Sequence, residues 1–342
     1  MNKNIKVLGI DLAKSVFQLH GTDSKGKCIL KKRLSREKLI EFMAQLSPCL
    51  VGIEACGGSN YWGRTFQGLG HNVKMMAPQF VKPYIKSNKN DCNDAEGINE
   101  AVTRPTMKFV PIKTIEQQDM LLLHRCRELA IKQRTALSNH IRGLLSEYGV
   151  VMTKGLCHMR NLPVILELNK DKLTPHAGAV FMRLYEQFKM YDMQVDVHEK
   201  EIKQQAEQDP RYKEIQKVEG IGPITASAMI ATLGNAKYFK NGREVSAWLG
   251  LVPKQHSSGN KIRLGSISKR GDRYVRTLLI HGARTVINRC QNKTDKKSIW
   301  AADKKERCGY NKATVALANK NARVIWALLA TGECYRQSLA VA

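Results

Sequence analysis

The strongest chemical signal in this chain comes from four acidic residues. Asp11 closes the apolar run IKVLGID, and Glu54 ends a second run within CLVGIEA. Asp91 and Asp94 follow in KNDCNDAEG, spaced i, i+3, which puts both on one face if the segment turns helical. Adjacent strand ends bring side chains together at one edge of an open sheet, where ligands usually bind. Carboxylates gathered there without Lys or Arg would repel one another. A divalent cation relieves the repulsion, and hard oxygen donors with open positions suit Mg2+. Two such ions can clamp the attacking and leaving oxygens of a phosphodiester. Any one of these acids alone could equally be a surface charge or a helix cap. An Asp and a Glu each ending an apolar strand, followed by D-x-x-D, is the more specific pattern. Glu96 lies close enough in sequence to be a rival ligand, and Asp23 suits turn chemistry.

The elements that must position these residues can be read from periodicity. Residues 5–11, 15–23 and 28–34 read as strands, and 36–46 as an amphipathic helix through Leu39, Ile40, Phe42, Met43 and Leu46. Residues 49–55 form a short continuous apolar run, as in a strand buried on both faces. A helix near 60–68, a strand at 72–77 and a helix near 79–87 complete a mixed sheet flanked by helices. Two long helices are expected at about 114–148 and 178–207. In the second, Phe181, Leu184, Phe188, Tyr191, Val195, His198 and Ile202 alternate spacings of three and four. That is a coiled-coil seam, open either to dimerisation or to a hairpin within the chain. His198 on it suits a register-setting polar residue. The reading gives an α/β plus mainly α chain: a mixed-sheet domain at 1–110, a helical coiled-coil arm at 111–209, a small mostly helical domain at 210–300, and a tail and helix at 301–342.

The charge balance points to polyanions. Lys and Arg number 56 against 30 Asp and Glu, a formal +26. Residues 211–342 hold 25 basic and 8 acidic residues, a net +17, and the first 210 hold 31 and 22, a net +9. Such a field favours nucleic acid over an acidic membrane surface. No apolar run reaches spanning length and no apolar signal segment opens the chain, so a cytoplasmic protein is expected. The nine cysteines are scattered with no C-x-x-C, which argues against a zinc cluster or a disulfide framework.

Two stretches could carry nucleic acid. In VEGIGPITASAMIATLG, residues 218–234, Gly220 and Gly222 form a turn entering an Ala-rich helix. This resembles a helix-hairpin-helix, whose backbone N–H groups receive a phosphate, although a Gly-Pro turn ahead of a core helix has the same pattern. In AWLGLVPKQHSSGNKIRLGSISKRGDRYVRTLLIHGA, residues 247–283, seven basic residues accompany glycines and one acid, Asp272: Lys254, Lys261, Arg263, Lys269, Arg270, Arg273 and Arg276. Glycines let a backbone approach phosphates that the cations neutralise. Ser257 and Ser258 lie within this stretch, where a serine in a Gly-rich loop is ordinarily a turn residue.

GIDLAKS, GIEACGGSNYW and KNDCNDA together resemble the RuvC-like, RNase H-like domain of the DEDD insertion-sequence transposases, the "one-ten" family of bridge-RNA-guided recombinases. The family's four acids fall on Asp11, Glu54, Asp91 and Asp94; Asn90 stands where the family often has Thr. The likeness covers about residues 5–300 in the right order. It implies that the basic stretch is the transposase domain and that its nucleophile, the Ser of a Ser-Gly pair after G-L-x-P, is Ser258. Ser257 is the runner-up, Ser266 and Ser268 follow, and His256 is given no role. The resemblance further implies covalent phosphoserine chemistry assisted by Mg2+ at the four acids, double-stranded donor and target DNA, a bridge RNA encoded by the element, and a homo-oligomer. A metal-dependent junction-resolving nuclease of RuvC type and a noncatalytic architectural protein are the alternatives.

Overall fold

The computed structural model describes residues 4–85, 91–259 and 261–336, except the side chain of Asp91. The chain divides into two compact units, Met1–Ile115 and Glu116–Ala342.

The first unit is built on a six-stranded sheet. Its strands are β1 (Val7–Asp11), β2 (Val16–Thr22), β3 (Cys28–Ser35), β4 (Leu50–Glu54), β5 (Asn72–Met76) and β6 (Phe109–Val110), in the order β3-β2-β1-β4-β5-β6. The first three form an antiparallel meander, while β4 and β5 add parallel to β1, with Ile10 opposite Ile53. The mixed sheet expected from sequence is present, with a sixth strand that is too short to leave a periodic signal. Helices α1 (Arg36–Gln45) and α2 (Ser59–Gly68) contribute Phe42, Met43, Trp62 and Phe66 to a core shared with Leu8, Ile10, Val51 and Ile53. The helix expected near 79–87 is a short turn, α3 (Pro78–Val81), followed by a 3-10 turn at Lys82–Tyr84, and residues 86 and 87 lie outside the described residues. Pro83 brings no N–H and crowds the preceding turn, so an α-helix does not continue through it. On the other face lies α4 (Asp91–Val102), whose Ile98, Ala101 and Val102 pack with Met76 and Val81.

The second unit is helical. It contains α5 (Ile115–Glu147), α6 (Leu156–Arg160), α7 (Leu162–Leu168), α8 (Pro175–Ala206), α9 (Pro210–Gln216), α10 (Pro223–Leu233), α11 (Gly242–Trp248), the two-stranded hairpin β7 (Pro253–Gln255) and β8 (Leu264–Ile267), then α12 (Arg273–Arg289), α13 (Lys296–Cys308) and α14 (Tyr310–Thr331).

The long helices lie antiparallel as a hairpin within the chain. Arg127 of α5 pairs with Glu199 of α8 at 2.6 Å, and seven residues along Arg134 pairs with Asp192, seven residues back. One heptad line of the seam, Phe181, Phe188, Val195 and Ile202, is buried; toward the hairpin tip, Phe181 and Phe188 share a core with Ile141 and Leu145 of α5. Within the chain, the seam closes as a hairpin. His198, half-buried, sits 3.5 Å from Glu201. Within 301–342, expected as a tail and helix, Ala301, Ala313, Leu317, Ala318, Ala322 and Ile325 pack with Leu249, Val275 and Leu279 in the core of this unit. The charged stretch KKERCGYNK is the end of α13 and the start of α14, divided at Gly309 with φ +82°.

Candidate active site and nucleic-acid interface

In the first unit, strand alternation fixes which side chains share a face. Leu8, Ile10, Val51 and Ile53 enter the core formed with α1 and α2. Val7, Gly9 and Asp11 on β1, and Leu50, Gly52 and Glu54 on β4, therefore face the other way, toward α4. Both strands end on their carboxylate, and the parallel register sets Asp11 beside Glu54. The Cys56 thiol lies among them. Burial raises its pKa, and the charges of Glu54 and then Asp11 raise it further.

Two glycines allow α4 to lie directly on these strands. A Cβ at Gly9 would stand 2.3 Å from the Ala95 carbonyl oxygen and 2.5 Å from the Asn99 nitrogen, and one at Gly52 would meet Val102 at 2.9 Å and Ile98 at 3.2 Å. Asn99, buried, locks the register. Its Nδ2 donates to the carbonyls of Val7 and His20 at 3.0 Å each, and its Oδ1 accepts from Thr22 Oγ1 at 3.2 Å. Asn99 lies over the start of β1 and Ala95 over Gly9, so the helix runs antiparallel to the strand and its first turn reaches the end of β1. Asp94, one turn before Ile98, lies on the β4 side, toward Glu54. Asp91 opens the helix, one turn before Ala95. The pattern G-I-D and G-I-E, a glycine two residues before each acid, is the sequence signal for this seating.

The donor set suits a hard cation. Asp94 Oδ1 is buried with no hydrogen-bond partner among the described residues, which a carboxylate oxygen tolerates poorly unless a cation faces it. No group of three or more His, Cys, Asp or Glu side chains is spaced to hold a metal among the described residues, a set without the Asp91 side chain. The rival ligand Glu96 turns to β2 and β3, 3.4 Å from Lys31 Nζ and 3.7 Å from His20 Nδ1. Asp23 is turn chemistry: its Oδ1 accepts from the nitrogens of Lys25 and Lys27.

In the second unit, β7 and β8 form a hairpin with a tight base and an exposed tip. Gly250 and Gly271 have positive φ, and Cβ atoms there would lie 2.2 Å from the Arg270 oxygen and 2.0 Å from the Trp248 oxygen, so only glycine lets the base close. Arg276 lies beneath it, buried, with Nη1 donating to the carbonyls of Leu249 and Arg270 at 3.0 Å each. Burial lowers its pKa. Arg276 was expected on the nucleic-acid surface; it is a brace instead, because the carbonyls of Leu249 and Arg270 converge where its guanidinium can bind both. The tip is extended by a bond from His256 N to the Arg263 oxygen and by a bridge between Ser258 and Lys261. Ser257 Oγ accepts from Gln255 Nε2 at 3.0 Å and from Arg263 N at 3.3 Å, which fits a turn-stabilising residue. Ser258 is exposed at the tip, and its hydroxyl makes no hydrogen bond among the described residues. Lys254, Lys261 and Arg263 on the hairpin and Lys269, Arg270 and Arg273 at or beyond its base are all exposed. Ser266 on β8 is exposed and Ser268, at the base, half-buried.

The turn carrying Gly220 and Gly222 does join two helices, α9 and α10, but Gly220 faces inward. A Cβ there would stand 2.8 Å from the Gly282 oxygen on α12, and the Glu219 carbonyl accepts from Lys297 Nζ and Asn321 Nδ2. Gly220 is thus packed closely against α12, while Gly222 is exposed at the start of α10.

Comparison with known proteins decides the family. Residues 8–150 match a family described as "Transposase" of the DEDD, IS110 type, and residues 212–298 match "Transposase IS116/IS110/IS902 family". The chain is 46% identical over 335 residues to a "Probable family 20 transposase" of Pseudomonas aeruginosa, covering 97% of this chain and 99% of that one. The chain belongs to the IS110 family of transposases. It is also 48% identical to the "Transposase for insertion sequence element IS1111A" of Coxiella burnetii, over 98% of this chain and 92% of that protein, and 37% identical to the transposase for IS1328 of Yersinia enterocolitica, over 97% and 99%. As an IS110-family transposase it is an enzyme that cuts and rejoins DNA, and its DEDD domain implies a divalent-metal site of nuclease type. The IS110 assignment also covers both units described above, the acids falling in the first matched region and the serine hairpin in the second. No described helix of the transposase is long and apolar enough to cross a membrane.

Proposed function

We propose that this transposase moves its own insertion sequence by serine attack on DNA, with Ser258 as the nucleophile. The observation that carries this reading is an unengaged serine hydroxyl at the exposed tip of a cationic hairpin whose base is clamped. The Ser258 oxygen bonds to phosphorus, the bond from phosphorus to one deoxyribose oxygen breaks, and that oxygen takes up a proton as the serine loses its own. A free deoxyribose hydroxyl of the partner strand then attacks the phosphoserine, restoring the serine and sealing the new junction. Lys261, bridged to Ser258, and Arg263, exposed on the same hairpin, would steady the oxygens of the phosphodiester and lower the cost of deprotonating the hydroxyl.

Asp11, Glu54, Asp91 and Asp94 would hold Mg2+, which when bound supplies charge stabilisation at a phosphodiester. Four oxygen donors, with a buried and unsatisfied oxygen on Asp94, favour that ion over softer metals. An RNA encoded by the element would pair with donor and target DNA, so that the protein reads backbone and shape. The formal charge of +26 suits a homo-oligomer that carries both RNA and DNA in the cytoplasm.

Strand exchange between donor and target duplexes, with RNA sequenced from the purified complex, tests this reading. Ser258→Ala and Asp11→Ala should each abolish exchange and keep DNA binding, and Ser257→Ala should retain most activity. Metal-dependent cleavage that survives Ser258→Ala would instead favour a RuvC-like nuclease. Full activity in Asp11→Ala would favour a noncatalytic architectural role.

A further inference from the structure

The second unit contains an open cleft of about 1840 Å3, between the β7–β8 hairpin on one side and α13 and α14 on the other. Small-molecule pockets run to roughly 300–1,000 Å3, so this space suits a segment of polymer better than a metabolite. Its floor and far wall are apolar, with Val315, Ala316, Trp300 and Trp326 facing Leu264 and Ile267 of the hairpin. Five cations line it, namely Arg243, Lys304, Lys312, Lys320 and Arg323, and none of its described lining residues is acidic. Lys312, Ala316, Asn319, Lys320, Arg323 and Ala327 recur at helical spacing, so one face of α14 supplies both apolar floor and charged edge. Lys320 Nζ stands 4.4 Å from the Trp300 ring centroid, which holds that cation at the edge of the cleft.

An apolar, tryptophan-bearing floor beneath a cationic rim is the chemistry that accepts unpaired bases and their phosphates together. A duplex has its bases stacked inside and would leave the apolar floor without a partner. We infer that this cleft binds a single-stranded segment of DNA next to the strand held at the hairpin tip. The choice of DNA rests on the proposed role of Ser258, since β8, which continues from that tip, forms one wall of the cleft. In this arrangement α14 holds the strand freed by cleavage until it is rejoined, and Trp300 and Trp326 exclude water from its bases.

The test uses the full chain and a fluorescein-labelled oligothymidylate of about twelve nucleotides, within the ~4–16 that such channels cover. Anisotropy is read across a salt series. Each single-strand phosphate contact contributes about 0.7 to the slope of log K against log salt. Lys312→Ala/Lys320→Ala should therefore lower the slope by about 1.4 and the affinity roughly 25-fold at about 0.1 M salt. Lys200→Ala/Lys203→Ala makes the same charge change at exposed positions on α8 and should move neither value. Oligothymidylate should also quench tryptophan emission, and Trp300→Phe should reduce that quenching. Unchanged binding in the cleft variant, an equal loss in the control variant, or tighter binding of oligouridylate than of oligothymidylate would overturn the inference. Ser258→Ala should bind the oligonucleotide normally. Covalent capture at Ser258 is scored in a separate assay, so a failed serine mechanism and a failed cleft are distinguishable.

Discussion

Gly9→Ala puts the seating of α4 to the test. The new Cβ would start 2.3 Å from the Ala95 oxygen and 2.5 Å from the Asn99 nitrogen, both backbone atoms of α4 that cannot rotate away. Restoring an ordinary contact of about 3.0–3.4 Å requires the helix to lift from β1 by about 0.7–1.1 Å. Overpacking of this kind costs about 1–3 kcal/mol, which lowers Tm by several degrees without unfolding the unit. The functional cost should be larger than the stability cost. Metal ligands tolerate about 0.2 Å, and a 1 Å misplacement of catalytic groups costs on the order of 100-fold in rate. Strand exchange is measured against magnesium concentration, with duplex binding and thermal melting in parallel. Gly63→Ala is the control, because the three atoms nearest its Cβ all belong to the Ile112 side chain, the closest at 2.8 Å, and a side chain can rotate aside where backbone cannot. Wild-type exchange and metal dependence in Gly9→Ala would refute the argument that α4 carries half of the metal site.

Three further outcomes follow from the structure. His124 is buried between Tyr274 OH and Ser227 Oγ, 3.0 Å from each, and burial and then Arg127 and Arg125 push its pKa down from 6.5 to about 4. The unfolded chain therefore binds the extra proton first. Relative to His124→Gln, stability should be full above pH ~6.5 and fall by about 3 kcal/mol as pH drops through ~6.5 to ~4, read by urea unfolding. Arg276→Ala leaves two carbonyls at the hairpin base unpaired and should cost about 2–4 kcal/mol and strand exchange together. Arg273→Ala, exposed, should instead lower the slope of log K for duplex DNA against log salt by about 0.9, with Tm unchanged. In the arm, burial works to raise the Asp192 pKa, but hydrogen bonds from Arg160 and Arg134 outweigh it and hold the carboxylate low. Asp192→Ala should cost about 3 kcal/mol by stranding Arg134, whereas Glu186→Ala, in an exposed pair with Lys189, should cost under ~1 kcal/mol by chemical denaturation.

The sheet was legible because its strands announce themselves by alternation and by apolar runs, and Asp11 and Glu54 were legible as acids ending such runs. What brings α4 onto them was less visible, because a glycine reads as a weakness in a strand until the helix it admits is known. The seam of α8 shows a second limit. Heptad spacing states that a face will be covered but not by which chain, and Arg127–Glu199 with Arg134–Asp192 supply the answer only in three dimensions. Arg276 shows a third. Among seven basic residues within a short stretch, nothing local distinguishes the one that binds carbonyls under the hairpin from the six that remain in solvent. The hairpin itself was hidden for a similar reason. Its strands have three and four residues, too short for a period, and are held by Gly250, Gly271 and Arg276 more than by their own ladder.

The serine at the hairpin tip, and not the carboxylate site, is expected to bond to the DNA. Covalent capture followed by peptide mapping measures this directly: wild-type protein is denatured during exchange on a nicked duplex, and the DNA-linked peptide is sequenced by mass spectrometry. The expected result is a phosphodiester on Ser258, absent in Ser258→Ala and retained in Ser257→Ala. Cut DNA with no protein attached, or an adduct that maps to another residue, would contradict it.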